Sequence, residues 1–471
     1  SDSQGAPYLL ALIGPLQDRQ GCTMQSVNSM KLHDEAILVD LHAHPSMKMA
    51  LFRHNLARRY AVAPPGFWPF SMRTNFDKLA TGGVDVLLSA IMAPEKPLLE
   101  DIPLLKLMRF TSRQAWRDLV EPTYFVASQT ILREMEQQVE DYNLHKPQAR
   151  RPVRVARSID ELDALIAQGP RGPIAIVHTL EGAHALEGAV CQRQASNGRS
   201  VSDNTARDEI LSNLDSFFAQ GVASITLAHF YPNRVVYPCF PFPGTVLSLA
   251  RWRRVVSNFD LSQGLTSIGE EVVERMLDLG MLIDLTHCTP VARARVYEIV
   301  ESQNKRGAVI ASHVGVRALK PSPYCLEDWE LRWMADHGGV VGVIFMNYWL
   351  GAHDRLGLDL IVETIDHIVD MAGIDSVAIG TDFDGFTDPP DDVVDATQMP
   401  RLTQHLLGQT LSGSKRRYPA EAVKQILGGN ALRVLRAGWG RRPSEDGPPI
   451  QSHNGRERVL AEASADAQAL A

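Results

Sequence analysis

Two histidines one residue apart, His42 and His44, close the stretch Ala36 to Pro45, AILVDLHAHP. If the apolar run Ile37 to Val39 is a buried strand, its period of two turns both imidazoles to one face, where they can share a metal ion. An isolated His-x-His is usually an ordinary pair of loop histidines, so the reading depends on what accompanies it. Five further groups do: Glu181, His229, His287, His313 and Asp382, each at the end of a short apolar run. Imidazoles with a few carboxylates and no thiolate suit Zn²⁺ or another first-row divalent ion, whereas Mg²⁺ and Ca²⁺ prefer all-oxygen sites. Four histidine ligands and a bridging carboxylate exceed what one tetrahedral catalytic zinc requires, so two ions are the expected count. In this scheme His42 and His44 hold one ion, His287 and His313 hold the other, and Glu181 and a hydroxide bridge them. Such a hydroxide is ionised at neutral pH and placed to attack a carbonyl. Asp382 would carry its proton to the leaving group. His229, left over as a ligand, would donate a hydrogen bond to the developing oxyanion.

These groups need a scaffold that brings distant strand ends together. The runs are Ile37 to Leu41, Val84 to Met92, IAIVHTLEGAH after Gly172-Pro173, VASITLAHFY after Gly221, MLIDLTHCTP after Gly280, AVIASHVG after Gly307, VVGVIFMN after Gly338-Gly339, and SVAIGTDFDG from Ser376. Most are separated by segments of helical patterning, such as Glu270 to Leu279 and Leu358 to Met371. Continuous apolar strands alternating with helices mean a parallel sheet covered on both faces. Eight of them predict a closed (β/α)8 TIM-type barrel with loop insertions, whose catalytic side chains come from the C-terminal ends of several strands.

Composition agrees with a globular enzyme. The 471 residues are 45% hydrophobic and 22% charged, enough to bury a large core. A formal charge of -8 argues against a nucleic-acid partner or an anionic membrane surface. A small-molecule or dipeptide substrate is the expected partner, with a homodimer as the assembly considered. The five cysteines are widely spaced without a CxxC pair, which predicts neither a disulfide framework nor thiolate zinc. No apolar stretch reaches the roughly 20 residues needed to cross a bilayer. The chain opens on Ser1, so the compartment stays open.

Along the chain, residues 1–33 read as an arm lying on a barrel domain of residues 34–437, and residues 438–471 as a partly flexible tail. Pro64, Pro65 and Pro69 mark a loop-rich connection before the second strand, and Leu98 to Leu144 reads as a long helical region. The basic stretch Lys146 to Arg157 reads as a solvated linker. The aromatic segment His229 to Arg254 reads as a lid or a subunit contact. Cys288 should turn away from the site, His184 should back Glu181 or cap a turn, and Asp384 should bind backbone in its own DFDG turn.

Several stretches carry a family resemblance: Gly264 to Pro290, GLTSIGEEVVERMLDLGMLIDLTHCTP; Ser312-His313; Gly380 to Gly385, GTDFDG; and Gly428 to Leu435, GGNALRVL. From roughly His33 to Leu435 the chain resembles the renal (membrane) dipeptidase family, peptidase family M19, of the amidohydrolase superfamily. The resemblance implies a binuclear zinc enzyme that hydrolyses dipeptides, often with a D-residue at the second position. It equates Glu181 with the bridging carboxylate and His229 with a substrate-contacting histidine. Two departures stand out. Strand one carries His42-Ala43-His44 where the family has His-x-Asp. About ten residues after His313, where the family places an Arg that grips the substrate carboxylate, this chain has Pro323, Tyr324 and Cys325. Tyr324 and the nearby Arg317 are the residues left to contact substrate there. A different small amide or ester substrate, or a catalytically silent barrel, are the alternatives carried.

Overall fold

Each of the eight apolar runs folds as a strand, and one further strand lies between the second and third of them. The strands are β1 (Leu38–Ala43), β2 (Val84–Ile91), β3 (Val153–Ala156), β4 (Ile174–Glu181), β5 (Ser224–Thr226), β6 (Leu282–Asp284), β7 (Val309–Val314), β8 (Val340–Ile344) and β9 (Val377–Gly380). The computed structural model describes residues 28–440 apart from 67, 69, 102–105, 146–150, 193–202, 240–259, 352–356 and 409–416. Every neighbouring pair along the order β1-β2-β4-β5-β6-β7-β8-β9 is parallel. The ring closes at its C-terminal end, where the Asp382 amide donates to the His42 carbonyl at 2.9 Å and the His44 amide to that of Phe383 at 2.8 Å. The architecture is therefore a nearly closed (β/α)8 TIM-type barrel.

Away from the register irregularities of β1 and β7, side chains inside and outside the ring follow strand alternation. Val39, Leu41, Val86, Leu88, Ala175, Val177, Leu282, Ile310, Val340 and Ala378 fill the interior, where Trp439 joins them. The opposite faces pack on the surrounding helices. The helix Ser267–Leu279 illustrates how the sequence sets these units. The Thr266 side chain accepts from the Gly269 amide at its start, and Gly280, at φ 71°, ends it. A left-handed residue at that position favours glycine and lets the chain turn at once into β6.

Two expectations are corrected. Of the stretch Lys146 to Arg157, the described residues 151–157 are not a solvated linker, because Val153–Ala156 forms β3 on the edge of β4. The buried Arg151 anchors it through Asp85 at 2.6 Å and the carbonyls of Gly172 and Val84. The run is short and flanked by arginines, and its partners lie far off in sequence. The region Leu98 to Leu144 is broken into pieces, and its long helix, Tyr124–His145, begins only beyond Pro122, a residue that cannot continue a helix from the preceding turn. The last residues assigned to the arm, 28–33, are helical and bury Ser29, Leu32 and His33, while Trp439, assigned to the tail, is buried. Residues 1–27 and 441–471 lie outside the described residues. Among the described residues, no helix is long and apolar enough to cross a membrane.

Candidate metal centre

Glu181, the last residue of β4, sits in the middle of the imidazoles at the barrel's C-terminal end. Its Oε1 lies 3.3 Å from His42 Nε2, 3.4 Å from His287 Nε2 and 3.5 Å from His313 Nε2. Its Oε2 lies 3.1 Å from His44 Nε2 and 3.6 Å from His229 Nε2. The four expected histidine ligands fall into two pairs: His42 and His44 with Nε2 atoms 3.0 Å apart, and His287 and His313 with theirs 3.2 Å apart. Asp382 Oδ1 stands 3.4 Å from His44 Nε2. The geometry thus collects all seven residues singled out by their strand-end positions, every one of them buried.

The backbone is bent to achieve this. His287 (φ 66°) and Asp382 (φ 53°) adopt left-handed conformations that non-glycine residues seldom hold without support from their surroundings. β7 carries a register irregularity between Ala311 and Val314, and the Ser312 carbonyl lies close against β8 and β9. A Cβ on Gly342 or Gly380 would stand 1.9 or 1.7 Å from that oxygen, so side chains are excluded there.

Buried hydroxyls and carboxylates hold the ligands from behind, and this layer is largely what sequence reasoning missed. Asp284 accepts from Thr226 Oγ1 at 2.6 Å, Thr286 Oγ1 at 2.9 Å, the Ser312 amide at 2.9 Å and the Ser312 hydroxyl. With its proton on Asp284, the Ser312 hydroxyl accepts from His313 Nδ1 at 2.8 Å, which leaves a lone pair on Nε2 facing the centre. Asp40 accepts from the Thr381 amide and hydroxyl at 2.9 and 2.6 Å across the closing seam. Glu95 lies 2.6 Å from His229 Nδ1. Alternation could have flagged Asp40, two residues before His42. Glu95 follows a proline in a loop and carried no periodic signal.

The electrostatics suit cations. Burial lowers the pKa of His44 and His287, and burial with the neighbouring His42 and His287 pushes His313 well down, which favours the neutral, ligating form of these rings. Burial alone would raise Glu181, but His229, His44 and His42 hold it well below the usual carboxylate range. Burial and the Glu181 charge push Asp382 well up. The Nδ1 atoms of His44 and His287 are buried without a hydrogen-bond partner. A donor set of imidazoles turned onto one carboxylate fits divalent metal.

The other expected residues have partners of their own. Arg317 pairs its guanidinium with Glu327 at 2.9 Å. The hydroxyl of Tyr324 is engaged by the His313 carbonyl at 2.9 Å, and its ring stacks on Trp349 and meets His287 edge-on. His184 does not back Glu181; its Nε2 bonds the Ala93 carbonyl at 2.9 Å. Asp384 binds the Arg73 and Thr74 amides, each at 2.9 Å, instead of its own turn. Cys288 is buried as expected. The aromatic segment is described only to Cys239, so most of the expected lid lies outside the described residues.

Arg293 ties two of these loops together. It bonds the Cys288 carbonyl at 2.8 Å and that of Pro323 at 3.0 Å, and grips buried Glu330 through two contacts of 2.6 and 2.9 Å. Arg293→Ala leaves the Glu330 carboxylate buried and unpaired, and should cost about 3–5 kcal/mol. Chemical denaturation followed by circular dichroism measures this, and an unchanged midpoint would refute the anchoring role.

The chain is similar to several known proteins. A protein described as an uncharacterized protein in the pqqA 5' region of Klebsiella pneumoniae is 35% identical over 184 residues, covering 38% of this chain and 63% of the relative. Human dipeptidase 3 is 28% identical over 261 residues, covering 55% of this chain and 47% of its own length. The chain thus spans less than two thirds of these relatives. A metallopeptidase from Rhodobacter sphaeroides, crystallised with a phosphinate mimic of L-Ala-D-Ala, shares the fold at a TM-score of 0.61 and 18% identity, covering 86% of this chain and 100% of that one. Residues 27–439 match the family described as membrane dipeptidase (peptidase family M19). With that match spanning nearly the whole described barrel, the chain belongs to the membrane dipeptidase family.

Proposed function

We propose that this chain is a binuclear, zinc-dependent hydrolase that cleaves the peptide bond of dipeptides, including those with a D-residue at the second position. The observation that carries this reading is Glu181 between two pairs of imidazoles, with His229 and Asp382 beside them. His42 and His44 would hold one ion, His287 and His313 the other, and Glu181 would bridge them. Bound there, the ions would supply the Lewis acidity that ionises water at neutral pH and polarises the scissile carbonyl. The protein's own part is to orient and to move protons. Asp382 takes a proton from the attacking water and returns it to the leaving amine. His229 presents Nε2 to the oxygen on which negative charge develops. Family membership supports the reaction class, and the dipeptide mimic carried by the Rhodobacter metallopeptidase supports the substrate class.

The test is a panel of L,L- and L,D-dipeptides and their C-terminal amides, assayed with metal-loaded protein. Hydrolysis of the dipeptides is expected. Arg317 is committed to Glu327 and the Tyr324 hydroxyl to a backbone carbonyl. Discrimination between free and amidated forms should therefore be weak. Cleavage of none of the panel refutes the reading.

His44 allows a sharper check. An imidazole in place of a carboxylate leaves the site one charge more positive, which weakens its hold on the neighbouring cation. His44→Asp should therefore retain metal against higher chelator concentrations than the unaltered protein. Equal retention would mean that His44 faces no ion.

A further inference from the structure

Glu95 is the buried group with no part in the metal centre whose contacts point most directly at the chemistry. It lies four residues past the end of β2 and begins the approach to the helix Lys96–Asp101. Its backbone is fixed from both sides: the Leu98 amide donates to its carbonyl at 3.1 Å, and the next amide, of Lys96, donates to the Tyr124 hydroxyl at 2.9 Å. Three N–H donors converge on its carboxylate. His229 Nδ1 lies 2.6 Å from Oε2, the Phe230 amide 3.4 Å from Oε2, and the Tyr231 amide 2.9 Å from Oε1. The residue is only 3% exposed.

This arrangement fixes His229 in three respects. A carboxylate is acceptor-only, so Nδ1 carries the proton of this contact, and the hydrogen bond from Nε2 to the developing oxyanion is made by the doubly protonated ring. The Phe230 ring stacks on the imidazole at 3.8 Å and 15°, which prevents rotation about the ring's long axis. With Nδ1 tied back, the opposite edge is turned to the centre, where Nε2 stands 3.6 Å from Glu181 Oε2. The turn that follows has its own support, since Asn233 bonds the Leu227 carbonyl and the Val235 and Val236 amides. Glu95 is thus needed for the ring more than for the loop.

We propose that Glu95 is a positioning residue for catalysis: through the Nδ1 contact it holds the His229 ring with Nε2 aimed at the oxygen on which charge develops. The proposal rests on the hydrolase reading above. A misplaced catalytic group loses rate more than binding, because its interaction is made with the transition state. Glu95→Gln keeps the volume but places an amide NH₂ against one of three N–H donors, and so frees the ring or the turn. Glu95→Asp, which keeps an acceptor-only group, is the variant expected to recover part of the loss.

The experiment measures kcat, KM and metal content for Glu95→Gln, Glu95→Asp, His229→Asn and the double variant Glu95→Gln/His229→Asn on a dipeptide cleaved by the unaltered enzyme. Glu95→Gln should lower kcat by about 10²-fold, leave KM within about threefold and leave metal content unchanged. In the His229→Asn background, itself down by about 10²- to 10³-fold, it should cost nothing further, because both act through one group. Unchanged kcat in Glu95→Gln, or a full additional loss in the double variant, overturns the proposal. So does loss of metal in His229→Asn, which would make His229 a ligand. If Glu95→Gln fails to fold, the same comparison is made with Glu95→Asp, whose loss must also vanish in the His229→Asn background. If the unaltered protein cleaves no dipeptide, the hydrolase reading fails by itself. Glu95 is then judged on the downfield Nδ1 proton of His229 in isotope-labelled protein, present in the unaltered chain and lost in Glu95→Gln. Its persistence overturns the proposal.

Discussion

Glu181→Gln is expected to abolish turnover and to disturb both metal sites at once. The carboxylate stands within 3.1–3.5 Å of four imidazole nitrogens and is shared between the two pairs. In the proposed binuclear centre, a neutral amide of the same size would leave two dications facing each other without the negative charge between them. Its NH₂ group would also stand where a ligand oxygen is required. Several kcal/mol of electrostatic stabilisation depend on the ions, so the loss in kcat/KM should reach at least about 10³-fold. Elemental analysis of the purified variant should show less than the full complement of metal. Full activity with both metals retained would remove Glu181 from the bridging position.

Asp382→Asn is the second large effect, and it should separate chemistry from binding. The residue lies 3.4 Å from His44, held by backbone in a left-handed conformation, with its amide on the His42 carbonyl. Asparagine keeps the volume and removes the proton acceptor. Metal content should persist while kcat falls by about 10²- to 10⁴-fold. A base works only in its unprotonated form, so the unaltered enzyme should lose rate as pH falls through the pKa of this group. The variant should lack that acidic limb. Unchanged turnover across the pH range would exclude the proton-transfer role.

The barrel and the ring of candidate ligands were both legible in the residues, for related physical reasons. Strands buried on both faces read as continuous apolar runs, and a polar side chain ending such a run has few places to point except across the barrel mouth. Hence Glu181, His229, His287, His313 and Asp382 could be picked out together with His42 and His44. The supporting layer was less visible. Asp284 and Ser312 act on His313 through a hydrogen-bond chain that joins β6 to β7, and Glu95 reaches His229 from a loop 134 residues away. Such pairings follow from the folded chain's closure and leave no local period. β3 escaped notice because a four-residue strand held by Arg151 on Asp85 looks, in one dimension, like a basic linker. Arg317, whose charge and position suggested a hold on substrate, pairs with a carboxylate ten residues on, Glu327, a partner that no local period announced.

The most direct measurement is the rate of L,L- and L,D-dipeptide hydrolysis by chelator-treated protein as zinc is added back in known equivalents. A binuclear centre on His42, His44, Glu181, His287 and His313 predicts no hydrolysis in the metal-free protein and a rate that climbs until two equivalents per chain are bound. Full hydrolysis without metal, saturation at a single equivalent, or no hydrolysis at any zinc loading would contradict it.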